Sequence, residues 1–243
     1  MERDFREALK NRRSCYALTA DSPLSPADVE ALCGFVLDNV PSAFNSQSTR
    51  LVSLGGAAHR ALWALTLEAL RPLVPADKFG GTEKKIASFA AGAGTILFFE
   101  DRAVVAKLQA DFPLYKDNFP VWSQHANAMH QLALWTLLED AGAGASLQHY
   151  NPLIDAEVAR TWSLDPAWAL VAQMPHGGVA ARPPAPAKLP LAGRLKETSK
   201  NCVFCGLDQF GSLTDILQLL KPPKVIKYPT GAELIQRREN ANF

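Results

Sequence analysis

Thr95-Ile96-Leu97-Phe98-Phe99 is entered through Gly92-Ala93-Gly94 and left through Glu100-Asp101. Five β-branched, aliphatic and aromatic residues between glycines and an acidic pair read as a strand. A strand with one wet face alternates apolar and polar residues. This one does not, so it reads as a buried strand. Asp101 is then placed to cap a helix reaching to about Ala110.

Other elements alternate around that strand. Glu2 to Arg13 puts Phe5, Ala8 and Leu9 on one helical face. Ser25, Pro26 and Asp28 stand at N-cap, first-turn and capping-box positions, and Val29, Leu32, Phe35, Val36 and Val40 repeat at helical spacing until Pro41. Thr49–Leu54 reads as a strand broken by Gly55-Gly56, and Ala57–Leu70 as a helix with Trp63 on its apolar side. Trp122–Asp140 is the longest helical pattern. Ala126, Met129, Ala133, Leu134, Leu137 and Leu138 spread round much of its circumference, which predicts an interior or intersubunit helix. Ala145–Tyr150 reads as a short strand or extended loop, Asp155–Trp162 as a helix and Trp168–Met174 as a strand. The alternation predicts a three-layer domain of α+β or mixed α/β class.

Composition limits the function classes. The 243 residues are 48% hydrophobic with a formal charge of +1, so neither disorder nor a global pull toward nucleic acid or anionic membrane is expected. No apolar run approaches the roughly 18 residues of a membrane helix, and Met1-Glu2-Arg3-Asp4 does not open a secretory signal. Cys15, Cys33, Cys202 and Cys205 do not form a disulfide framework, so a reduced, cytoplasmic protein is expected. From Arg182 to Pro190 four prolines interrupt any period, which predicts an extended arm.

Three clusters carry chemistry. Arg12-Arg13-Ser14 offers paired guanidinium donors and a hydroxyl, a combination suited to a phosphate, although adjacent arginines also suit a solvated helix end. Pro41-Ser42-Ala43-Phe44-Asn45-Ser46-Gln47-Ser48 gathers small residues and amides that either bind a flat heteroaromatic ligand or only connect two elements. Leu147-Gln148-His149-Tyr150 sets amide, imidazole and phenol side by side, as a cofactor lining or as a polar edge of the core.

Taken in order, Arg12-Arg13-Ser14, Pro41-Ser-x-x-Asn45-x-Gln47, the stretch from Ala87 to Asp101 and Leu147-Gln148-His149-Tyr150-Asn151-Pro152 resemble the nitroreductase family over about residues 5–178. The branch resembled includes bacterial copper-induced nitroreductases and yeast fatty-acid-repression-type proteins. The resemblance implies a three-layer fold with a central, mainly antiparallel sheet flanked by helices, in an intertwined homodimer binding FMN at the subunit interface. It implies that Arg12, Arg13 and Ser14 contact the FMN phosphate or ribityl chain. Ser42, Ala43, Asn45 and Gln47 would come from the other subunit, and Leu147, Gln148, His149 and Tyr150 would line the isoalloxazine with a backbone amide near N5. It further implies NADH or NADPH as donor and small planar acceptors such as nitroaromatics or quinones, with no catalytic side chain and no metal. An FMN-binding redox sensor of lipid or stress regulation, with little turnover, is the alternative.

Two features depart from the family pattern. His176 stands where relatives commonly carry an aromatic, and the arm that closes on the phosphate offers Lys188 and Arg194 as its basic candidates. Residues 1–197, with the arm at 179–197, are thus expected to form the FMN domain. Residues 198–243, with Cys202-x-x-Cys205, form an extension without a counterpart in the family. His59 is expected to be exposed and Lys84-Lys85 to lie in a turn.

Overall fold

The run Thr95–Phe99 lies inside β3 (Gly94–Asp101), a strand buried from Gly94 to Glu100. The protein is described by a computed structural model covering residues 4–196. Side chains of a strand alternate between faces, so an unbroken apolar run feeds two cores. Ile96 and Phe98 join Val29, Val36, Leu134, Leu138 and Met174 on one face. Leu97 and Phe99 join Leu62, Trp63, Ile86, Phe89 and Val158 on the other. Each buried phenylalanine contributes about 2–3 kcal/mol.

Antiparallel to β3 on either side run β2 (Thr49–Gly55) and β5 (Trp168–Ala181). The free edge of β5 takes β1 (Ala17–Thr19) and β4 (Gly144–Ala145), also antiparallel, so the order is β1-β5-β3-β2 with β4 beside β5. Helices α2 (Pro26–Asn39) and α6 (Phe119–Asp140) supply the first core, while α3 (Gly56–Leu70), α4 (Ala76–Ala90) and α7 (Asp155–Thr161) supply the second. The fold is therefore a mixed α/β architecture with an open antiparallel sheet flanked by helices. The short α1 (Phe5–Asn11) packs on α6, and α5 (Arg102–Asp111) follows β3 directly.

The local signals act as their chemistry demands. Ser25 Oγ accepts from the Asp28 N–H while the Asp28 carboxylate accepts from the Ser25 N–H at 2.8 Å, a complete capping box. Asp101 accepts from the Ala103 and Val104 amides and starts α5.

Elsewhere the structure corrects the expectation. Lys84 and Lys85 lie on α4 rather than in a turn. His59 is 1% exposed, drawn inside α3 because both its ring nitrogens find partners. Within the protomer Met129 is 43% exposed, with Val121 and Leu132 on the same helix, which is compatible with the intersubunit half of that expectation. β5 continues past Met174 to Ala181.

The chain divides into two units, Met1–Ala185 and a second that begins at Pro186. Cys202-x-x-Cys205 lies outside the described residues. Among the described residues no helix is long and apolar enough to cross a membrane.

Candidate functional site

The first motif begins where α1 ends. Arg12 is its C-cap, and the chain then turns extended so that Ser14 bridges Ala145 and the Cys15 N–H donates to the Ala145 carbonyl at 2.9 Å. This approach depends on Gly144. A Cβ there would fall 2.5 Å from Val179 Cγ2 and 3.0 Å from Cys15 Cβ, so a side chain would force the three segments apart.

Once β4 lies against β5, the third motif follows in register. The Ser146 N–H donates to the Pro175 carbonyl, and Gln148 and Gln173 exchange backbone hydrogen bonds at 2.7 and 2.9 Å. The Gln148 side chain donates to Ser146 Oγ, and Tyr150 packs edge-on to Trp63. Burial, reinforced by Tyr16, raises the Tyr150 phenol above its usual pKa. His149 is exposed. The fold thus brings Arg12–Ser14 and Leu147–Tyr150 to neighbouring positions in one protomer.

The charges around this junction are distinctive. The Arg12 guanidinium lies 4.1 Å from the centroid of the Trp135 ring, and its Nε is buried with no partner among the described residues. Burial first, and Arg13 second, lower the Arg12 pKa. Arg13 donates to the carbonyls of Lys10 and Arg12, both at 2.7 Å. Arg182, at the end of β5, grips the buried Glu139 of α6 with two hydrogen bonds of 2.9 and 3.1 Å and also donates to the Asn11 carbonyl. Burial raises the thiol of Cys15 above its ordinary pKa, and Arg182 is the strongest influence opposing that rise. Neither Arg182 nor Glu139 is distinguishable in the sequence, since their pairing spans 43 residues.

The second motif lies elsewhere. Ser42–Gln47 leads into β2, at the opposite edge of the sheet from β1. Phe44, Asn45 and Gln47 all hold positive φ (57°, 51° and 47°), an arrangement that costs about 1–2 kcal/mol per residue. Two features sustain it. Ser42 Oγ accepts from the Gln47 N–H at 3.0 Å, and the Phe44 ring stacks on Trp122 inside a cluster with Phe112, Tyr115 and Phe119.

Its base is anchored by the buried Glu100, which accepts from Ser48 Oγ (2.6 Å), Thr49 Oγ1 (2.8 Å) and Asn127 Nδ2 (2.9 Å). Asn45 and Gln47 are exposed, and a cavity of about 280 Å³ opens beside Ser42, Gln47, Arg50 and His130. The sequence showed Glu100 only as the end of a strand.

Two predicted residues belong to the second unit. Lys188 and Arg194 both follow Pro186, and within that unit Arg194 donates to the Leu189 carbonyl.

A cavity of about 780 Å³ between α2 and the adjoining ends of β2 and β3 is lined by none of the predicted site residues. His176 forms part of its wall. Burial, then His59, push its pKa down to about 4, and neither ring nitrogen has a partner among the described residues.

Known proteins resemble this chain in sequence and fold. The Saccharomyces cerevisiae nitroreductase FRM2 is 32% identical over 182 residues, covering 74% of this chain and 90% of FRM2. The nitroreductase CinD from Lactococcus lactis, solved with chloramphenicol, is 38% identical with a TM-score of 0.73, covering 80% of this chain and 99% of that one. A Desulfovibrio desulfuricans structure solved with FMN shares the fold at 20% identity and a TM-score of 0.58, covering 81% of this chain and 98% of that one. Residues 9–178 match the sequence profile of the Nitroreductase family, and the chain belongs to that family.

Proposed function

We propose that the chain is an NAD(P)H-dependent FMN oxidoreductase that reduces small planar electrophiles, such as nitroaromatics or quinones, as a homodimer. The observation that carries this reading is the junction at Ala145, where the phosphate-type cluster Arg12–Ser14 meets the strand leading to Leu147–Tyr150. The orphaned Arg12 Nε suits FMN, because a phosphate oxygen would give that buried donor its missing acceptor.

Bound FMN would supply hydride transfer from a nicotinamide to an acceptor in two successive half-reactions. Arg12, Arg13 and Ser14 would hold the phosphate end. Leu147, Gln148, His149 and Tyr150 would line the ring and hold backbone amides against it. Ser42, Ala43, Asn45 and Gln47 would complete the site from the second subunit, which accounts for strained, outward-facing amides at the far edge of the sheet. The exposed Val121, Met129 and Leu132 of α6 and Phe35 of α2 would be covered in that dimer. No side chain is assigned proton transfer. The protein's part is orientation and hydrogen bonding to developing charge.

The test is the visible spectrum of the purified protein, followed without oxygen as NADH or NADPH is added. The expected result is a flavin spectrum that bleaches within seconds and recovers on addition of a quinone or 4-nitrophenol. Bound flavin that stays oxidised makes the protein a sensor. A colourless protein that takes up no added FMN removes the cofactor.

A further inference from the structure

Gln173 sits in the middle of β5 with a side chain wholly out of solvent, and its Nε2 has no partner among the described residues. Its Oε1 accepts from the backbone N–H of Tyr150 at 2.8 Å. Its backbone N–H and carbonyl are both exchanged with Gln148. One residue therefore holds the segment from Leu147 to Tyr150 at three points.

The register shows what this does. In an antiparallel ladder every second residue turns its N–H and C=O toward the neighbouring strand, and those between turn them away. Gly144, Ser146 and Gln148 stand opposite Gly177, Pro175 and Gln173, so Tyr150 would next face Val171. The ladder stops instead, because the Gln173 carboxamide takes the Tyr150 amide before a backbone carbonyl does. His149 and Tyr150 are therefore not part of a strand. The His149 N–H, on one of the residues between, turns away from β5 and has no partner among the described residues, on an exposed residue.

We infer that Gln173 is a positioning residue of the flavin site, which fixes the Leu147–Tyr150 segment so that the His149 backbone N–H is the amide presented to FMN. This rests on the FMN reading above and goes beyond it by naming the amide and the residue that orients it. Gln173 does not touch the cofactor in this account. It acts through Tyr150 and Gln148. Gln173→Met has similar length and no acceptor oxygen, so it frees the Tyr150 amide and lets the segment relax. Gln173→Glu keeps an acceptor at the same place and restores the anchor.

The experiment labels the full-length protein with ¹⁵N-histidine, which marks only five residues, and identifies the His149 amide signal by its loss in His149→Gln. In the wild-type protein that signal shifts as FMN is added and saturates together with the quenching of FMN fluorescence. In Gln173→Met the shift shrinks to less than half and FMN binds roughly tenfold more weakly, while Gln173→Glu recovers the shift. A protein that binds FMN with an unmoved His149 amide overturns the inference and leaves the cofactor reading intact. So does a Gln173→Met protein whose shift equals the wild type. A protein that binds no FMN overturns both. If Gln173→Met does not fold, the wild-type titration with the Gln173→Glu protein still decides, because a Gln173→Glu shift unlike the wild type overturns the inference.

Discussion

The two ends of the sheet hold their backbone in different ways. At the β1–β4–β5 edge, Cys15, Ser146, Gln148 and Tyr150 each pass an N–H to an acceptor within the protomer, and Arg182 with Glu139 ties the neighbouring helix end in place. At the start of β2, three residues of Ser42–Gln47 are held at positive φ, with Asn45 and Gln47 exposed. The first region is finished along its ladder by its own chain, while Arg12 Nε, Gln173 Nε2 and the His149 N–H have no partner among the described residues. The second is built at a conformational cost, supported by an aromatic cluster and a buried glutamate, and presents polar groups outward. Strain kept in a turn by such support fits the proposed use of that turn by a second protomer.

The largest effect should come from breaking the finished edge at its charges. Arg12→Ala with Arg13→Ala should weaken FMN binding about a hundredfold or more in equilibrium dialysis, with an unchanged oligomeric state. Unchanged flavin retention would remove the phosphate role. Next is the support beneath the turn. Glu100→Ala strands the Ser48 and Thr49 hydroxyls and one Asn127 proton, at about 2–4 kcal/mol, and should lower the melting temperature by roughly 5–10 °C.

The third prediction separates the edges by pH. His176 titrates near pH 4 in the fold and near the ordinary histidine value of about 6.5 when unfolded. Above about 6.5 both states are neutral and the contribution to stability is complete. As pH falls toward 4 only the unfolded state gains the proton, so stability is lost. His59, lowered by burial in the same direction, adds to the slope. His176→Phe should therefore raise the melting temperature more at pH 5 than at pH 7.5, and an equal gain at both would contradict this origin. The smallest effect belongs to Ser42→Ala, which removes one acceptor from the Gln47 amide. It should cost about 1 kcal/mol in thermal melts.

Much of this comparison was legible in the chain, and the limits have physical causes. The apolar run in β3, the Ser25–Asp28 box and the Asp101 cap are local signals, so residue type and spacing carry them. α4 was missed because Gly80 and Gly81 sit inside it, each lowering helix propensity by about 1 kcal/mol, with Lys84-Lys85 beyond them. β1 spans three residues and has no period to read. His59 read as a surface residue because its partners, Thr95 and Ala90, lie 36 and 31 residues away. The same distance hides Gln173, Glu139 and Arg182: each acts through a contact that exists only once β5 is in register.

The most direct test of the account is subunit complementation, because its central claim is that the finished edge of one protomer and the strained turn of another form one FMN site. Arg12→Ala/Arg13→Ala and Ser42→Ala/Asn45→Ala chains, carrying different affinity tags, would be co-expressed and the mixed dimer isolated. In a symmetric dimer that shares its sites, one of the two sites then contains no substitution. The account predicts about one FMN per mixed dimer bound at wild-type affinity, with neither parent dimer retaining flavin. A mixed dimer as empty as its parents would place the site within a single protomer and contradict the account.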